Sequence, residues 1–250
     1  MSERRAYLFM FVSVPILWIL AIKITGFPPF LLPPPNLVAK VLWEESGEFL
    51  FHTGITLMEA IIGYLLANII ALAISFFFLY FPWLEALGLP WTVVIKNIPF
   101  VTIASILIIT LGDSPAPKII IVILVCFFPI LANLAKGLKS VEQVLLDRMK
   151  VLNASKWQIF VKVRWPSALP YYIAAHEIAF TGSIIGAIVA EWMFARRGLG
   201  FLIVRAMMQY RADKVYAVTL IASLLAVGAY FLVRVLESYF FRWKREVVNI

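Results

Sequence analysis

Long apolar stretches alternate along the chain with short segments that are rich in proline or in charge. Several of the apolar stretches approach or exceed the ~20 residues that an α-helix needs to cross a bilayer. The pattern therefore predicts an all-α membrane protein with six transmembrane helices, in a single domain at residues 1–250. The helices are expected at residues 6–24, 53–80, 91–111, 119–134, 168–194 and 215–241.

Proline indicates where several of these helices begin or break. Residues 26–38 contain five prolines, which lack the N–H donor that a helix needs, so we expect an extended connector on the outer side. A short amphipathic helix is expected near residues 36–50, with Asn36 as its N-cap. Pro99 is expected to break the third membrane helix, and residues 81–90 are expected to form a brief inner turn.

Composition supports the membrane assignment. Hydrophobic residues make up 63% of the chain and charged residues 14%, whereas a soluble domain carries ~25% charged residues. The net charge of +8 would suggest nucleic acid as the partner of a soluble protein. In a membrane protein it is typical of loops that stay in the cytoplasm, so we expect no nucleic-acid partner.

A basic segment at residues 136–164 separates the fourth and fifth predicted membrane helices. It carries seven of the 22 Lys and Arg residues and only two acids, which favours a cytoplasmic location because Lys and Arg resist translocation. Apolar residues at helical spacing predict a helix at 141–152. Asn153 tolerates a left-handed turn, and Ser155 is expected to cap a second helix.

Pro166 and Pro170 are expected to stop or kink this second helix. The resulting helix pair is suited to docking on a partner protein or, alternatively, to lying on the lipid surface. Both chain termini are then cytoplasmic, and twelve Lys and Arg residues lie inside against eight outside. The inner set includes Arg4 and Arg5 at the N-terminus and Arg242, Lys244 and Arg245 at the C-terminus.

Polar side chains within apolar helices are costly in contact with lipid, so we expect them to line a pathway through the membrane. Lys96, just before the break at Pro99, and Glu191, near the outer end of the fifth helix, are the main candidates. The alternative is that either one forms a buried salt bridge with the other, or with Glu59. The complete set is Glu59, Lys96, Asn97, Thr102, Ser105, Asn133, His176, Glu177, Thr181, Ser183 and Glu191.

Three further features have mainly structural interpretations. His176 is interpreted as a hydrogen-bonded packing residue, and Cys126 as a packing residue in an apolar run. Gly182 and Gly186 have the spacing that lets two helices approach closely, either between two copies of the chain or within one. We find no metal-ligand spacing, no nucleophile–base pair and no G-x-x-x-x-G-K-[ST] nucleotide motif. We therefore expect neither a catalytic site nor a cofactor in this chain.

The segment DRMKVLNASKWQIFVKVRWPSALP resembles the cytoplasmic coupling motif of bacterial ABC-importer permeases. Asp147 stands at the family's Glu, Asn153 at its Gly, and Pro166 and Pro170 at its prolines, whereas Arg148 and its neighbour Met149 replace two alanines. LLPPPNLVAKVLWEE, IKNIPFVTIASILIITLG, APKIIIVILVCFFPILANLAKGLKSV and GAIVAEWMFARRGLGFLI are similar to segments of the nitrate/sulfonate/taurine-type permeases.

This resemblance implies the type I ABC-importer permease fold in the bacterial plasma membrane. It implies a pair of permeases, expected to be two copies of one chain, that works with two cytoplasmic ATPases and an extracytoplasmic substrate-binding protein, and it implies that ATP and Mg are bound by the ATPases. The implied coupling segment is about 136–166, and its ATPase contacts are Asp147, Arg148, Leu152, Asn153, Ala154, Ser155 and Pro166. Among the polar candidates, the residues predicted to line the pathway are Lys96, Asn97, Thr102, Ser105, Glu59 and Glu191. The family tends to have a basic residue at position 96, but it often has Arg where this chain has Glu59.

The resemblance implies a small anion such as a sulfonate, taurine, nitrate or bicarbonate as the substrate, or alternatively a pyrimidine precursor of thiamine or another heterocycle. A stand-alone channel or secondary transporter and a membrane-embedded enzyme are the competing classes. The first has no use for a coupling segment, and the second lacks a catalytic constellation.

Five of the eight outer bases cluster after the fifth predicted helix, against the positive-inside bias. We expect Arg205 and Arg211 to dock an acidic patch on the binding protein; a positive funnel for anions and binding to lipid phosphates are the alternatives. The cluster consists of Arg196, Arg197, Arg205, Arg211 and Lys214.

Overall fold

The computed structural model describes residues 3–193 and 195–240, which are helical or in turns and contain no strand. The first six helices are α1 (Glu3–Thr25), α2 (Pro35–Glu44), α3 (Ser46–Tyr80), α4 (Pro82–Lys96), α5 (Phe100–Leu111) and α6 (Pro115–Lys139). Two short helices follow, α7 (Gln143–Val151) and α8 (Lys156–Ile159). A π-helical turn at Phe160–Arg164 joins α8 to α9 (Trp165–Trp192), and α10 (Leu199–Met208) and α11 (Ala212–Phe240) complete the described chain.

The all-α membrane architecture is confirmed, but the count of six membrane helices is not. Among the described residues, four helical segments are long and apolar enough to cross a bilayer, namely Ser46–Tyr80, Pro115–Lys139, Lys156–Trp192 and Ala212–Val235. The pair α4 and α5 provides at most a fifth crossing, and it is bent by 89°. Within α1, the stretch Ser13–Thr25 is apolar and belongs to a helix of 23 residues.

Two local predictions near the ends of α3 were wrong. The helix expected at residues 36–50 ends at Glu44, and the chain continues from Ser46 directly into the long α3. Asn36 is not the N-cap: Pro34 holds that position in an extended conformation, and Pro35 opens the helix. Proline suits the first turn because its missing N–H would have no partner there.

Residues 82–90 are the beginning of α4, not a turn. Pro82 again opens a helix, and Pro90 lies within it. The predicted break at Pro99 is present, since α4 ends at Lys96 and α5 begins at Phe100. The expected ends of the fifth and sixth membrane helices at residues 194 and 241, and the terminal bases Arg242, Lys244 and Arg245, lie outside the described residues.

Helices α3, α6 and α9 form the centre of the fold and approach each other at small residues. A Cβ atom at Gly63 of α3 would lie 2.6 Å from the side chain of Val122 of α6. A Cβ atom at Gly137 of α6 would lie 3.0 Å from the Cα atom of Ala168 of α9. Because lipid is as apolar as a protein core, membrane helices are held together by such close van der Waals contact.

The Gly182 and Gly186 pair belongs to this centre. Both glycines of α9 face Val125 of α6, with closest Cβ approaches of 3.3 and 3.2 Å. Of the two interpretations, the structure therefore supports a crossing within one chain. Cys126 is fully buried beside them, and its thiol donates to the carbonyl oxygen of Ala179 at 3.2 Å.

Candidate functional site

The coupling segment forms the helix pair expected from its sequence. Asn153 lies between α7 and α8 with φ of 53°, the left-handed conformation that asparagine tolerates. The N–H of Ala154 donates to the Met149 carbonyl at 2.9 Å and closes the end of α7. Ser155 then caps α8: its hydroxyl accepts from the Gln158 N–H, and the Gln158 side chain accepts from the Ser155 N–H, which makes a complete capping box.

Apolar side chains of this helix pair are exposed. Val151 is 87% exposed, Leu152 75% and Trp157 62%. They lie outside the four spans, except for Trp157 in the first turn of the span that includes α9. A cluster of apolar residues at a turn between two short helices is typical of a surface that another protein covers.

Asp147 lies on the exposed surface of α7 and is already paired. Its Oδ1 accepts from the Lys150 ammonium at 2.7 Å and from the Gln143 side chain at 3.0 Å. The hydrogen bond from Lys150, followed by the one from Gln143, holds the pKa of Asp147 below its ordinary value. Arg148 beside it is exposed and forms no ion pair with the described part of the chain.

The coupling helices continue into α9 without a stop. In the π-helical turn Phe160–Arg164, the N–H of Trp165 donates to the Phe160 carbonyl, five residues earlier. Pro166 lies in the first turn of α9 and Pro170 lies inside it. Of the two expectations, a stop at these prolines is wrong, because the helix continues through both. The irregularity that the structure shows is the widened turn that precedes Pro166.

The π-helical turn is anchored on the membrane helices. Arg164 donates through Nη1 to the Leu138 carbonyl oxygen of α6 at 2.9 Å. The ring of Phe160 meets the ring of Phe76 of α3 edge to face, with centroids 5.5 Å apart. The coupling segment is therefore connected to α9 along the chain and to α3 and α6 by side chains.

Lys96 and Asn97 lie at the sharp bend between α4 and α5. The ammonium of Lys96 lies 4.3 Å above the centre of the Phe128 ring of α6, a cation–π contact. The Asn97 side chain donates to the Val93 carbonyl at 2.7 Å. Both residues are exposed, and Lys96 forms no ion pair within the described ranges, so its predicted bridge to Glu191 or Glu59 is absent there.

Helix α5 has one covered face and one open face. Ala104 is 1% exposed and packs with Ile121 and Ala190. On the opposite face, Thr102 is exposed and Ile109 is 84% exposed. The Ser105 hydroxyl is half-buried and donates to the Val101 carbonyl at 3.0 Å. The open face thus combines apolar side chains with hydroxyl groups and bears no charge.

Glu191 is buried and holds the N-terminus of α10. Its Oε2 accepts from the Gly200 N–H and its Oε1 from the Thr56 hydroxyl, both at 2.7 Å. The same Thr56 hydroxyl accepts from the Leu199 N–H at 2.9 Å, and Nδ1 of His52 accepts from the Gly198 N–H at 2.8 Å. Three side chains from α3 and α9 therefore satisfy three successive N–H groups at the start of α10.

A second buried glutamate, Glu59, pairs with a lysine of α6. Glu59 is 1% exposed, and its Oε1 lies 3.8 Å from Nζ of Lys118, which is 6% exposed. Lys118 also donates to Asp113 at 3.1 Å, and Arg196 lies 3.6 Å from Asp113. Glu59 therefore has the structural partner that the salt-bridge alternative required, although the partner is Lys118.

The two bases proposed for docking are engaged within the chain. Arg205 pairs with Glu48 at 2.9 Å. Arg211 pairs with Glu45 at 2.6 Å and with Asp213 at 2.8 Å. Their side chains remain 44% and 37% exposed, respectively, so both still offer charge to solvent.

Lys214, nearly buried, contacts both Glu45 and Glu48 at 2.6 and 2.5 Å. Burial raises the pKa of Glu45, but its hydrogen bonds with Lys214 and Arg211 outweigh that effect and hold the pKa below its ordinary value. This network joins the start of α3 to the beginning of α11. It lies on the side that the sequence predicts to be outer and is called the outer ion-pair network.

The remaining polar candidates, with one exception, have hydrogen-bond or ion-pair partners within the described chain. The hydroxyl of Tyr64 and Nδ1 of His176 are 2.8 Å apart, in agreement with a packing role for this histidine. Glu177 pairs with Arg234 of α11 at 3.1 Å. The Asn133 amide and the Ser183 hydroxyl donate to backbone carbonyls of their own helices, whereas the buried Thr181 hydroxyl has no partner among the described residues.

Sequence reasoning missed His52, Thr56 and Lys118. Thr56 and His52 carried no motif, and their role depends on α10 folding back onto α3. The glycines of RGLG were the available signal: Gly198 has φ of 103°, and a Cβ atom there would lie 2.1 Å from Glu191 Oε1. Among the described residues, no group of His, Cys, Asp and Glu side chains is arranged to hold a metal ion.

Comparison with known proteins places this architecture in a family. The sequence pattern of the family described as "Binding-protein-dependent transport system inner membrane component" matches residues 63–242. The formylaminopyrimidine transport permease protein ThiX of Halalkalibacterium halodurans is 29% identical over 94% of each chain. The riboflavin transport system permease protein RibX of Chloroflexus aurantiacus is 30% identical over 92% of this chain and 86% of the relative.

A third relative, the putative aliphatic sulfonates transport permease protein SsuC of Escherichia coli, is 26% identical over 94% of this chain and 90% of its own. Among solved structures, the inward-facing MetNI methionine ABC transporter shares the fold with a TM-score of 0.53 at 15% identity. The match covers 81% of this chain and 97% of that one. The protein therefore belongs to the binding-protein-dependent ABC-importer permeases and is a multi-pass, all-α membrane protein.

Proposed function

We propose that the chain lines half of a transport pathway for a small aromatic heterocycle, and that a separate ATPase drives transport by binding at α7 and α8. The observation that carries the proposal is the exposed coupling turn, continuous through one π-helical turn with the central helix α9. The ATP and Mg are bound by that ATPase, and an extracytoplasmic binding protein delivers the substrate.

The coupling turn supports an ATPase partner because it combines exposed apolar side chains with available positive charge. Leu152 and Trp157 supply apolar area that a partner surface would remove from water. Arg148 supplies a donor for an acidic group on that partner. A stand-alone channel or secondary transporter has no use for such a surface.

The connection to α9 supports a lever mechanism. Because α8, the π-helical turn and α9 form one helical segment of 37 residues, Lys156–Trp192, a displacement at the coupling turn is carried into the centre of the bundle. The outer end of that segment carries Glu191, which holds α10. Movement of the coupling turn would thus reach the outer face through α9.

The open face of α5 supports a second copy of the chain across the pathway. Ile109 lies on a face of α5 that no helix of the described chain covers, and Lys96 and Asn97, at the bend before α5, are exposed as well. Two copies that face each other would enclose a pathway lined by hydroxyl and apolar groups. We propose that the pathway runs there, with Thr102 and Ser105 in its wall.

The chemistry of this wall favours a small uncharged aromatic substrate. The buried acids Glu59 and Glu191 are engaged by Lys118 and α10, which leaves Lys96 as the exposed cation at the bend. Apolar surface and hydroxyl groups suit a flat heterocycle with a few polar atoms. The relatives named for formylaminopyrimidine and riboflavin transport support this class.

An organic anion such as a sulfonate is the second candidate. It is favoured by Lys96, which has no acidic partner in the described ranges, and by the relative named for aliphatic sulfonates. Glu59 and Glu191, first expected in the pathway, would then support its outer wall without touching substrate.

Orientation follows from the same proposal. The ATPase side must be cytoplasmic, so α7 and α8 lie inside, and so does the C-terminus that follows α11. The N-terminus lies inside as well when α1 (Glu3–Thr25) provides a further crossing. The distribution of unpaired positive charge supports this orientation, because unpaired Lys and Arg residues favour the cytoplasmic side. Several bases of the coupling segment lack an acidic partner among the described residues, whereas the bases of the outer ion-pair network are neutralised by acids.

Co-purification tests the proposal. The chain is produced together with the ATPase of its own transport system, and a stoichiometric complex is expected. ATP-dependent uptake of labelled formylaminopyrimidine, riboflavin and an aliphatic sulfonate is then measured in vesicles supplied with the binding protein. Transport by the purified chain alone would overturn the proposal, and uptake restricted to the sulfonate would favour the second candidate.

A further inference from the structure

A cavity of about 270 Å³ lies where the coupling segment meets the membrane helices. It is bounded by the end of α3 and the start of α4 on one side, and by α8 and the π-helical turn on the other. The proposed ATPase contact residues Leu152 and Trp157 lie on the adjoining coupling turn, and neither of them lines the cavity. The cavity is lined by Leu79, Tyr80, Pro82, Lys156, Ile159 and Arg164.

The lining carries two positive charges and no acid. Arg164 uses Nη1 to bind the Leu138 carbonyl, and its remaining donors have no ion-pair partner among the described residues. Lys156 likewise forms no ion pair in that part of the chain. The neighbouring Lys139, by contrast, is neutralised by Glu85. Two uncompensated cations that share one cavity favour an anionic ligand with several acceptor oxygens.

The surroundings of the cavity place it at the edge of the bilayer. Leu79 and Tyr80 form the last turn of the long span α3. The adjacent aromatic residues Phe77, Phe81 and Trp83 are 51%, 46% and 61% exposed, respectively. Exposed aromatic rings at the end of a membrane helix are typical of the headgroup level. A ligand in this cavity therefore has direct access from the lipid leaflet.

We propose that this cavity binds the phosphate group of an anionic phospholipid from the leaflet on the coupling side. Arg164 and Lys156 hold the phosphate, and the acyl chains lie along the exposed aromatic residues at the end of α3. Basic pockets between membrane helices are suited to such headgroups. Because Lys156 begins α8 and Arg164 ends the π-helical turn, the bound lipid would fix the base of the coupling segment against α3 and α4.

The test measures lipid retention by native mass spectrometry on the purified full chain. Phosphatidylglycerol and phosphatidylcholine with the same acyl chains are supplied in equal amounts. We expect preferential retention of phosphatidylglycerol and an about fivefold weaker retention in Lys156→Gln, which corresponds to ~1 kcal/mol per basic residue near an anionic surface. Lys162→Gln is the matched control, because Lys162 lies in the same segment, is exposed and does not line the cavity.

Three results would overturn the proposal. An equal loss of phosphatidylglycerol retention in Lys156→Gln and Lys162→Gln would mean that the lipid is attracted to the basic surface in general and not bound in the cavity. Thermal stabilisation of the lipid-free chain by inorganic phosphate alone, equal to that by phosphatidylglycerol, would assign the cavity to free phosphate. Weakened association of Lys156→Gln with the ATPase, at unchanged lipid retention, would assign Lys156 to the protein contact.

Discussion

Gly200 donates its N–H to Oε2 of Glu191 at 2.7 Å, and its lack of a side chain is what allows the two to meet. A Cβ atom at position 200 would lie 2.2 Å from the Ile188 carbonyl oxygen and 2.7 Å from Cβ of Glu191. The N-terminus of α10 is therefore seated directly on the outer end of α9. This contact therefore fixes the start of α10 against α9.

Gly200→Ala should destabilise the protein by about 1–3 kcal/mol, because the added methyl group forces α10 away from α9. The measurement is the thermal unfolding midpoint of the purified chain in detergent. Gly228→Ala is the matched control: Gly228 is also helical, but a Cβ atom added there would have no neighbouring atom within 4 Å among the described residues. The control should be neutral or slightly stabilising. Equal midpoints for the two variants would contradict the close approach.

Leu152→Asp should weaken association with the ATPase by about tenfold or more, since it introduces a charge at the centre of the proposed apolar contact. The unfolding midpoint should not change, because Leu152 is already 75% exposed. Association is measured by titrating the ATPase onto the reconstituted permease. Tyr210→Asp, at a residue that is 87% exposed but outside the coupling segment, is the control and should bind normally. Normal binding by Leu152→Asp would refute the docking surface.

Substitutions at Lys96 distinguish the two substrate classes. Lys96→Gln keeps an N–H donor but removes the charge, so uptake of a neutral heterocycle should fall less than about threefold, whereas Lys96→Leu should lower it about tenfold. Uptake of an anion should fall about tenfold with either variant, because both remove the positive charge and hydrogen bonds between charged groups are stronger than those between neutral groups. Initial uptake rates over a range of concentrations give the result. Lys23→Gln, an exposed lysine at the end of α1, serves as the control.

Arg205→Glu should lower the stimulation of ATPase activity by the binding protein, and more so at low salt, where exposed charges act over longer distances. A second variant separates docking from structure. In Glu48→Gln the ion pair is broken but Arg205 remains, and Lys214 keeps its contact with Glu45. If Arg205 docks the binding protein, stimulation stays near normal in Glu48→Gln; a loss as large as that of Arg205→Glu would show that the residue acts only through Glu48.

Acid should loosen the outer ion-pair network through Glu45. Its pKa is lowered in the folded protein, so Glu45 stabilises the fold above the ordinary glutamate pKa of ~4.3, and this contribution is lost as the pH falls through the lowered value. At neutral pH, Glu45→Gln should lower the unfolding midpoint by about 2–4 °C, equivalent to roughly 1 kcal/mol.

The difference between Glu45→Gln and the unaltered chain should shrink at the acid end of the range. Glu44→Gln is the control, because Glu44 is exposed and its ion pair with Lys40 is long, at 3.7 Å. A midpoint difference that is independent of pH would contradict the role of the Glu45 charge.

The sequence predicted the features that depend on neighbouring residues. Asn153 adopts the left-handed turn and Ser155 forms the cap, because both effects arise within a few residues of chain. Two prolines, Pro35 and Pro82, misled the prediction, because proline opens a helix as readily as it ends one. The partners of Glu59 and Glu191 were beyond prediction, since Lys118 and Thr56 reach them only after α3, α6 and α9 have packed.

The π-helical turn at Phe160–Arg164 has a consequence for how this architecture can change. Each residue of an α-helix is rotated by about 100° around the helix axis from the one before it. The one extra residue of a π turn therefore rotates the coupling helices around the axis of α9 compared with their position in a regular helix. Deleting one residue there would restore regular helix and swing the coupling turn around the axis of α9 by about that angle. A single insertion or deletion at this position thus offers a discrete way to re-aim the turn at a different partner surface while the transmembrane bundle stays unchanged.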